Sequence, residues 1–85
     1  MIRVTTVVKL KNGLHARPAA LFVQEANKFN CDIFIEIDEK VANAKSIMGI
    51  MSLIINHDSQ LVIIADGKDE NQAADSLKSF LEKEQ

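Results

Sequence analysis

The most compact group of side chains able to do chemistry is Gly13-Leu14-His15-Ala16-Arg17-Pro18. An imidazole stands where a run with helical spacing begins, and a guanidinium follows two residues later. Free N–H groups at a helix N-terminus attract anions, and the helix dipole adds to that field. The same field disfavours imidazolium and so favours a neutral, nucleophilic His15. Arg17 offers oxyanions a planar fork of donors. The combination suits taking a phosphoryl group onto nitrogen and giving it away again. From the residues alone, a solvated histidine at a helix end remains the plainer alternative.

A second segment, Lys45 to Ile55, reads as a short helix starting at Ser46, whose hydroxyl would accept from a free backbone N–H one turn on. Gly49 and Ser52 weaken that helix. Ile50 and Leu53 fit its buried side, whereas Ile47, Met48 and Met51 fall off it, and Leu21 falls off the stripe of the preceding helix. Apolar residues on solvent faces beside a reactive centre suggest a partner-binding patch. The flexible thioether of methionine suits a surface that fits several partners in turn. Without further context Met48 and Met51 could equally fill a core.

Other candidates carry less. Cys31 has no second cysteine and no nearby histidine at metal-ligand spacing, so a structural thiol is expected and no metal site. His57 beside Asp58 reads as solvated, and Glu82 and Glu84 alternate with lysines as a solvated helix face. No cofactor motif is present. A ferredoxin-like metallochaperone or ligand module would need a Cys-x-x-Cys pair or a Gly-rich loop. An acylphosphatase-like enzyme would turn over a small acyl phosphate, which an assay separates from a carrier.

These residues need elements to position them. Ile2, Val4, Thr6, Val8 and Leu10 alternate with Arg3, Thr5 and Lys9 as in a half-buried strand, ended by Asn12-Gly13. Ala19, Phe22, Val23 and Ala26 make a helical stripe within Ala16 to Phe29, with Pro18 in its first turn. Ile33, Ile35 and Ile37 form a second strand, which Asp38-Glu39-Lys40 turns into a short partner at Val41 to Asn43. Leu61 to Ala65 reads as a buried central strand. Asp69 and Gln72 resemble a capping box for a helix that buries Ala73, Leu77, Phe80 and Leu81. The order βαββαβα predicts an α+β two-layer sandwich, a mainly antiparallel sheet with helices on one face.

The 85 residues favour a single domain over 1–85. Hydrophobic residues at 47% and charged residues at 26% argue against disorder. A net charge of −2 gives no electrostatic footprint for nucleic acid. No apolar run approaches the roughly 20 residues that span a bilayer. The first residues lack the features of a secretory signal, and one cysteine fits a reducing, cytoplasmic location.

The stretch GLHARPAA at 13–20 resembles the active-site motif of HPr, the histidine-containing phosphocarrier family of the bacterial sugar phosphotransferase system, and KSIMGIMSL at 45–53 resembles its regulatory serine motif. The resemblance covers essentially the whole chain. It implies an open-faced sheet of four antiparallel strands with three helices on one side. It also implies a non-enzymatic phosphocarrier, in which His15 takes phosphate from phospho-enzyme I through Nδ1, Arg17 steadies it, and sugar-specific EIIA domains receive it. Ser46, flanked by Ile47-Met48, would be the target of an ATP-dependent HPr kinase/phosphorylase. The reader of phospho-Ser46 would be a catabolite-control transcriptional regulator, with Lys45 and Arg17 as supporting charges. A monomer is expected, a strand-swapped dimer being the alternative.

Two departures stand out. Ile54 occupies a position where many members place glycine, and the following loop reads Asn56-His57-Asp58-Ser59 where another glycine is common. The segment AALFVQEANKF at 19–29 resembles the regulatory HPr paralogues of bacilli, which lack the histidine and keep the serine. A regulation-only corepressor is therefore the alternative to a carrier. A phosphate on Ser46 would add about −1.5 to −2 charges to the apolar patch and act by charge rather than by refolding.

Overall fold

The computed structural model describes residues 1–83, with elements β1 (Ile2–Val7), α1 (Ala16–Ala26), β2 (Asp32–Ile37), β3 (Lys40–Asn43), α2 (Ile47–Ser52), β4 (Gln60–Asp66) and α3 (Glu70–Glu82). The strands form one four-stranded sheet in the order β1-β4-β2-β3, every neighbouring pair antiparallel. Alternation in each strand could show which face is buried but not this order, because β4 enters between β1 and β2 from far along the chain. Register follows the pattern: buried Ile33, Ile35, Leu61, Ile63 and Ala65 line the inner face. A one-residue slip would turn them all to water.

Three helices cover that face. Phe22 of α1 is fully buried and meets the half-buried Phe80 of α3 edge-on, with ring centroids 5.6 Å apart. Burying one such side chain contributes roughly 1.5–3 kcal/mol. Leu77 and Leu81 of α3 and Ile50 of α2 complete the layer. Among the described residues no helix lies over the opposite sheet face, where Arg3 and Glu36 form an ion pair at 2.7 Å. The β2–β3 turn is made by Asp38 and Glu39, both left-handed at φ 51° and 68°, the backbone that matches strand twist in a two-residue hairpin.

Several local expectations need revision. Helix α1 ends at Ala26, short of Phe29, where the Asn27 side-chain amide turns back to donate to the Val23 carbonyl at 2.9 Å. Asp69 and Gln72 make no capping box. Asp69 stands at the N-cap of α3 without capping it, and its carboxylate instead accepts from the amides of Asn30 and Cys31 at 2.9 and 3.0 Å. Glu70 reaches back in place of Gln72, accepting from the Gly67 amide at 3.0 Å. Glu82 is not merely solvated: it accepts from buried Thr6 at 2.8 Å and pairs with Lys78. Glu84 lies outside the described residues.

Candidate functional site

The site is assembled by two backbone segments lying side by side. After β1 the chain runs along residues 55–59: Val8 donates to Ser59 at 2.8 Å, Asp58 donates to Val8 at 2.7 Å, and Leu14 donates to Ile55 at 2.9 Å. Gly13 is what allows the approach. It holds φ +75°, and a Cβ there would come within 2.3 Å of the Ile55 carbonyl oxygen and 2.8 Å of the Asn56 Cα. Leu14 then plunges into the core with no exposed surface, and His15 emerges exposed at the N-cap of α1.

His15 does not cap its helix. Its backbone is extended at φ −128° and ψ 157°, and its side chain makes no bond to the first turn. Instead Nε2 lies 3.3 Å from Oδ1 of Asn56, a residue 41 positions away. The next residue, Ala16, holds φ +52°, a left-handed conformation that costs a residue with a Cβ about 1 kcal/mol or more. Arg17 is exposed in the first turn. An exposed imidazole, an exposed arginine in the same first turn and amides there without a capping side chain can receive an anionic group.

Ser46 is built in the opposite way. Its hydroxyl accepts from the Gly49 amide at 3.1 Å, as a serine N-cap should. Leu53 leaves the helix in extended backbone, and Ile54 stands out into solvent at 71% exposure. Ile50 and Leu53 are buried, whereas Leu21, Ile47, Met48 and Met51 are exposed, Met48 by 81%. Helices α1 and α2 pack against each other, so these apolar side chains belong to adjoining elements.

A family model described as the PTS HPr component phosphorylation site matches residues 2–83. The HPr-like protein Crh of Halalkalibacterium halodurans is 57% identical over 84 residues, which cover 99% of this chain and all of that protein. The chain belongs to the HPr family. The phosphocarrier protein HPr of Bacillus anthracis superposes on it with a TM-score of 0.94 at 54% identity, over 95% of this chain and 96% of that one. The crystal structure of Crh from Bacillus subtilis, a dimer with a swapped domain, matches at 51% identity and a TM-score of 0.76, over 95% of this chain and 93% of that one. The open four-stranded antiparallel sheet with three helices is thus the fold of HPr.

Within this HPr-family frame some side chains stand differently from expectation. The Lys45 ammonium donates to the Phe29 carbonyl at 2.6 Å and ties the segment before α2 to the end of α1. His57 is not simply solvated. Its Nδ1 lies 3.1 Å from the Leu10 carbonyl and its Nε2 3.5 Å from Asp58. Asp58 holds φ +69° and pairs with Lys9 at 2.7 Å, a hydrogen bond that holds its carboxyl below the usual range. An aspartate thus holds a left-handed turn position here, a backbone that Asp tolerates better than most side chains. Cys31 is buried, and desolvation pushes its thiol up, away from the reactive thiolate. Among the described residues no group of three or more His, Cys, Asp or Glu is placed to hold a metal, and no helix is long and apolar enough to cross a membrane. Asn56 escaped the sequence reading, since nothing in spacing links it to His15.

Proposed function

We propose that this HPr-family chain is a regulatory protein of carbon catabolite control, phosphorylated on Ser46 by an ATP-dependent HPr kinase/phosphorylase and then acting as corepressor of a catabolite-control transcriptional regulator in the cytoplasm. The observation that carries this is the setting of Ser46, a helix cap adjoining exposed Ile47, Met48 and Met51. The likeness to Crh supports it. A phosphate there converts an apolar docking patch into an anionic one, and a charge desolvated without a partner costs a few kcal/mol. Partners that need the apolar face are then repelled, while a partner with cationic groups is recruited. The test is to phosphorylate the protein with the kinase and ATP, then run it with the regulator on a sizing column. Co-elution of the phosphorylated protein alone is expected; co-elution of Ser46→Ala protein treated in the same way would refute the reading.

A second reading rests on a different observation, the exposed His15 against Asn56, with exposed Arg17 two residues on. The resembled regulatory paralogues lack that histidine, so this chain keeps the group needed for carrier chemistry. In this reading His15 accepts phosphate from phospho-enzyme I through Nδ1, Arg17 steadies it, and EIIA domains dock on Leu21, Ile47, Met48 and Met51 to take it. The chain itself is then a carrier rather than an enzyme. Incubation with enzyme I and phosphoenolpyruvate should give an acid-labile phosphate that His15→Ala abolishes; label persisting in that variant would refute it. The working form is a monomer. A swapped dimer of the kind found for B. subtilis Crh would require an edge strand, β1 or β3, to exchange, and light scattering would reveal a doubled mass.

A further inference from the structure

We propose that Asn56 is a positioning residue for His15, its amide oxygen holding the ring proton on Nε2 so that the Nδ1 lone pair faces the incoming phosphoryl group. The inference rests on the reading of His15 as a phosphoryl acceptor and deepens it. In neutral imidazole one nitrogen donates and the other accepts, and the hydrogen bond made by one decides the role of the other. The Asn56 Oδ1 carries no proton, so a neutral ring can donate across the 3.3 Å contact at Nε2 only as the Nε2–H tautomer.

The contact is held in place by the surrounding backbone. Asn56 donates to the Ser59 hydroxyl at 3.0 Å and accepts from the Ser59 amide at 3.0 Å, which closes the 56–59 turn on itself. The preceding Ile55 carbonyl holds Leu14, the residue before His15. The following His57 ring is bonded to the Leu10 carbonyl at 3.1 Å. Bonds on both sides of Asn56 therefore fix its distance from His15, and Gly13 lets the two segments touch.

The chemistry gains from this arrangement. As the His15 Nδ1–P bond forms, the P–N bond of the donor phosphohistidine breaks and its electron pair returns to the donor nitrogen. The Nε2 proton stays where it is, and the His15 ring takes on positive charge. A hydrogen bond from a charged donor is stronger than one from a neutral donor. Asn56 therefore supports the transition state more than the resting ring, and its loss should slow transfer roughly ten-fold or more.

The test uses the whole chain and reads ring nitrogen shifts of His15 by NMR at about pH 8.5, above the usual imidazole range, together with the rate of labelling by phospho-enzyme I. Wild type should show the Nε2–H form in excess. Asn56→Ala should shift the ring toward the Nδ1–H form and slow labelling. Asn56→Asp, which keeps an acceptor, should retain the wild-type tautomer. Amide spectra would establish that both variants are folded. A tautomer ratio unchanged in Asn56→Ala overturns the inference, whatever the rate. Failure of wild-type protein to accept phosphate at His15 overturns the acceptor reading instead, and the two failures are read from separate signals.

Discussion

Helices α1 and α2 both begin on a residue in extended backbone, yet the two starts are built for different ends. Ser46 bonds to the first turn through its own side chain, and no left-handed residue follows it. His15 leaves its first turn uncapped, and Ala16 behind it holds φ +52°. The comparison separates two kinds of helix start. A side chain with no structural duty is free to change its bonding without disturbing the fold. A side chain that caps a helix is already seated where an added phosphate meets backbone donors, so its modification changes surface charge and leaves the helix standing.

Substitutions can break or sharpen this contrast, and the largest effect belongs to the loop that carries His15. Gly13→Ala must adopt a disfavoured φ and push a methyl into the Ile55 carbonyl, so a loss of about 2–4 kcal/mol is expected by chemical denaturation. A loss under half of that would mean the loop is not held as described. A third helix start, Asp69, comes next. The backbone amide of Asn30 first, and then Cys31, hold its carboxyl below the usual range. A carboxyl lowered in the folded state contributes stability that is present above the carboxylate range and lost as pH falls through it. Asp69→Asn should therefore lower Tm at neutral pH and flatten its decline on acidification. Parallel Tm-versus-pH curves for the two proteins would remove Asp69 from the acid response.

Smaller effects follow. Ser46→Ala removes a cap and should cost about 1 kcal/mol, read as a fall in Tm of roughly 4–8 °C for a chain of this size. His15→Ala should stay within about 0.5 kcal/mol of wild type, since the ring caps nothing and is exposed. Equal losses at the two positions would dissolve the distinction between them. Met48→Asp should change stability least and still weaken partner binding; a large fall in Tm would place Met48 in the core.

Much of this arrangement was legible because it depends on local period and residue type. Alternation at Ile33, Ile35 and Ile37, the stripe through Ala19, Phe22 and Ala26, and the serine before Ile47 each have a physical signature within a few residues. What stayed hidden depends on residues far apart. That β4 is a central strand was legible in its apolar run, but which strands flank it is a long-range pairing without a local mark. Asp69 looked like a cap because the type and the spacing to Gln72 were right, but the amides of Asn30 and Cys31 compete for the same oxygens and win. Asn56 meets His15 only because Gly13 lets two segments touch. Ala16 carries its strain with no sign in its residue type.

The central claim, that phosphate on Ser46 makes this protein a corepressor, is tested most directly by the operator affinity of the catabolite-control regulator at one fixed salt concentration. Added Ser46-phosphorylated protein should tighten operator binding by roughly ten-fold or more, a coupling of about 1.4 kcal/mol, while unmodified protein and Ser46→Ala treated with the kinase should leave it unchanged. An operator affinity equally unmoved by the phosphorylated protein would contradict the account.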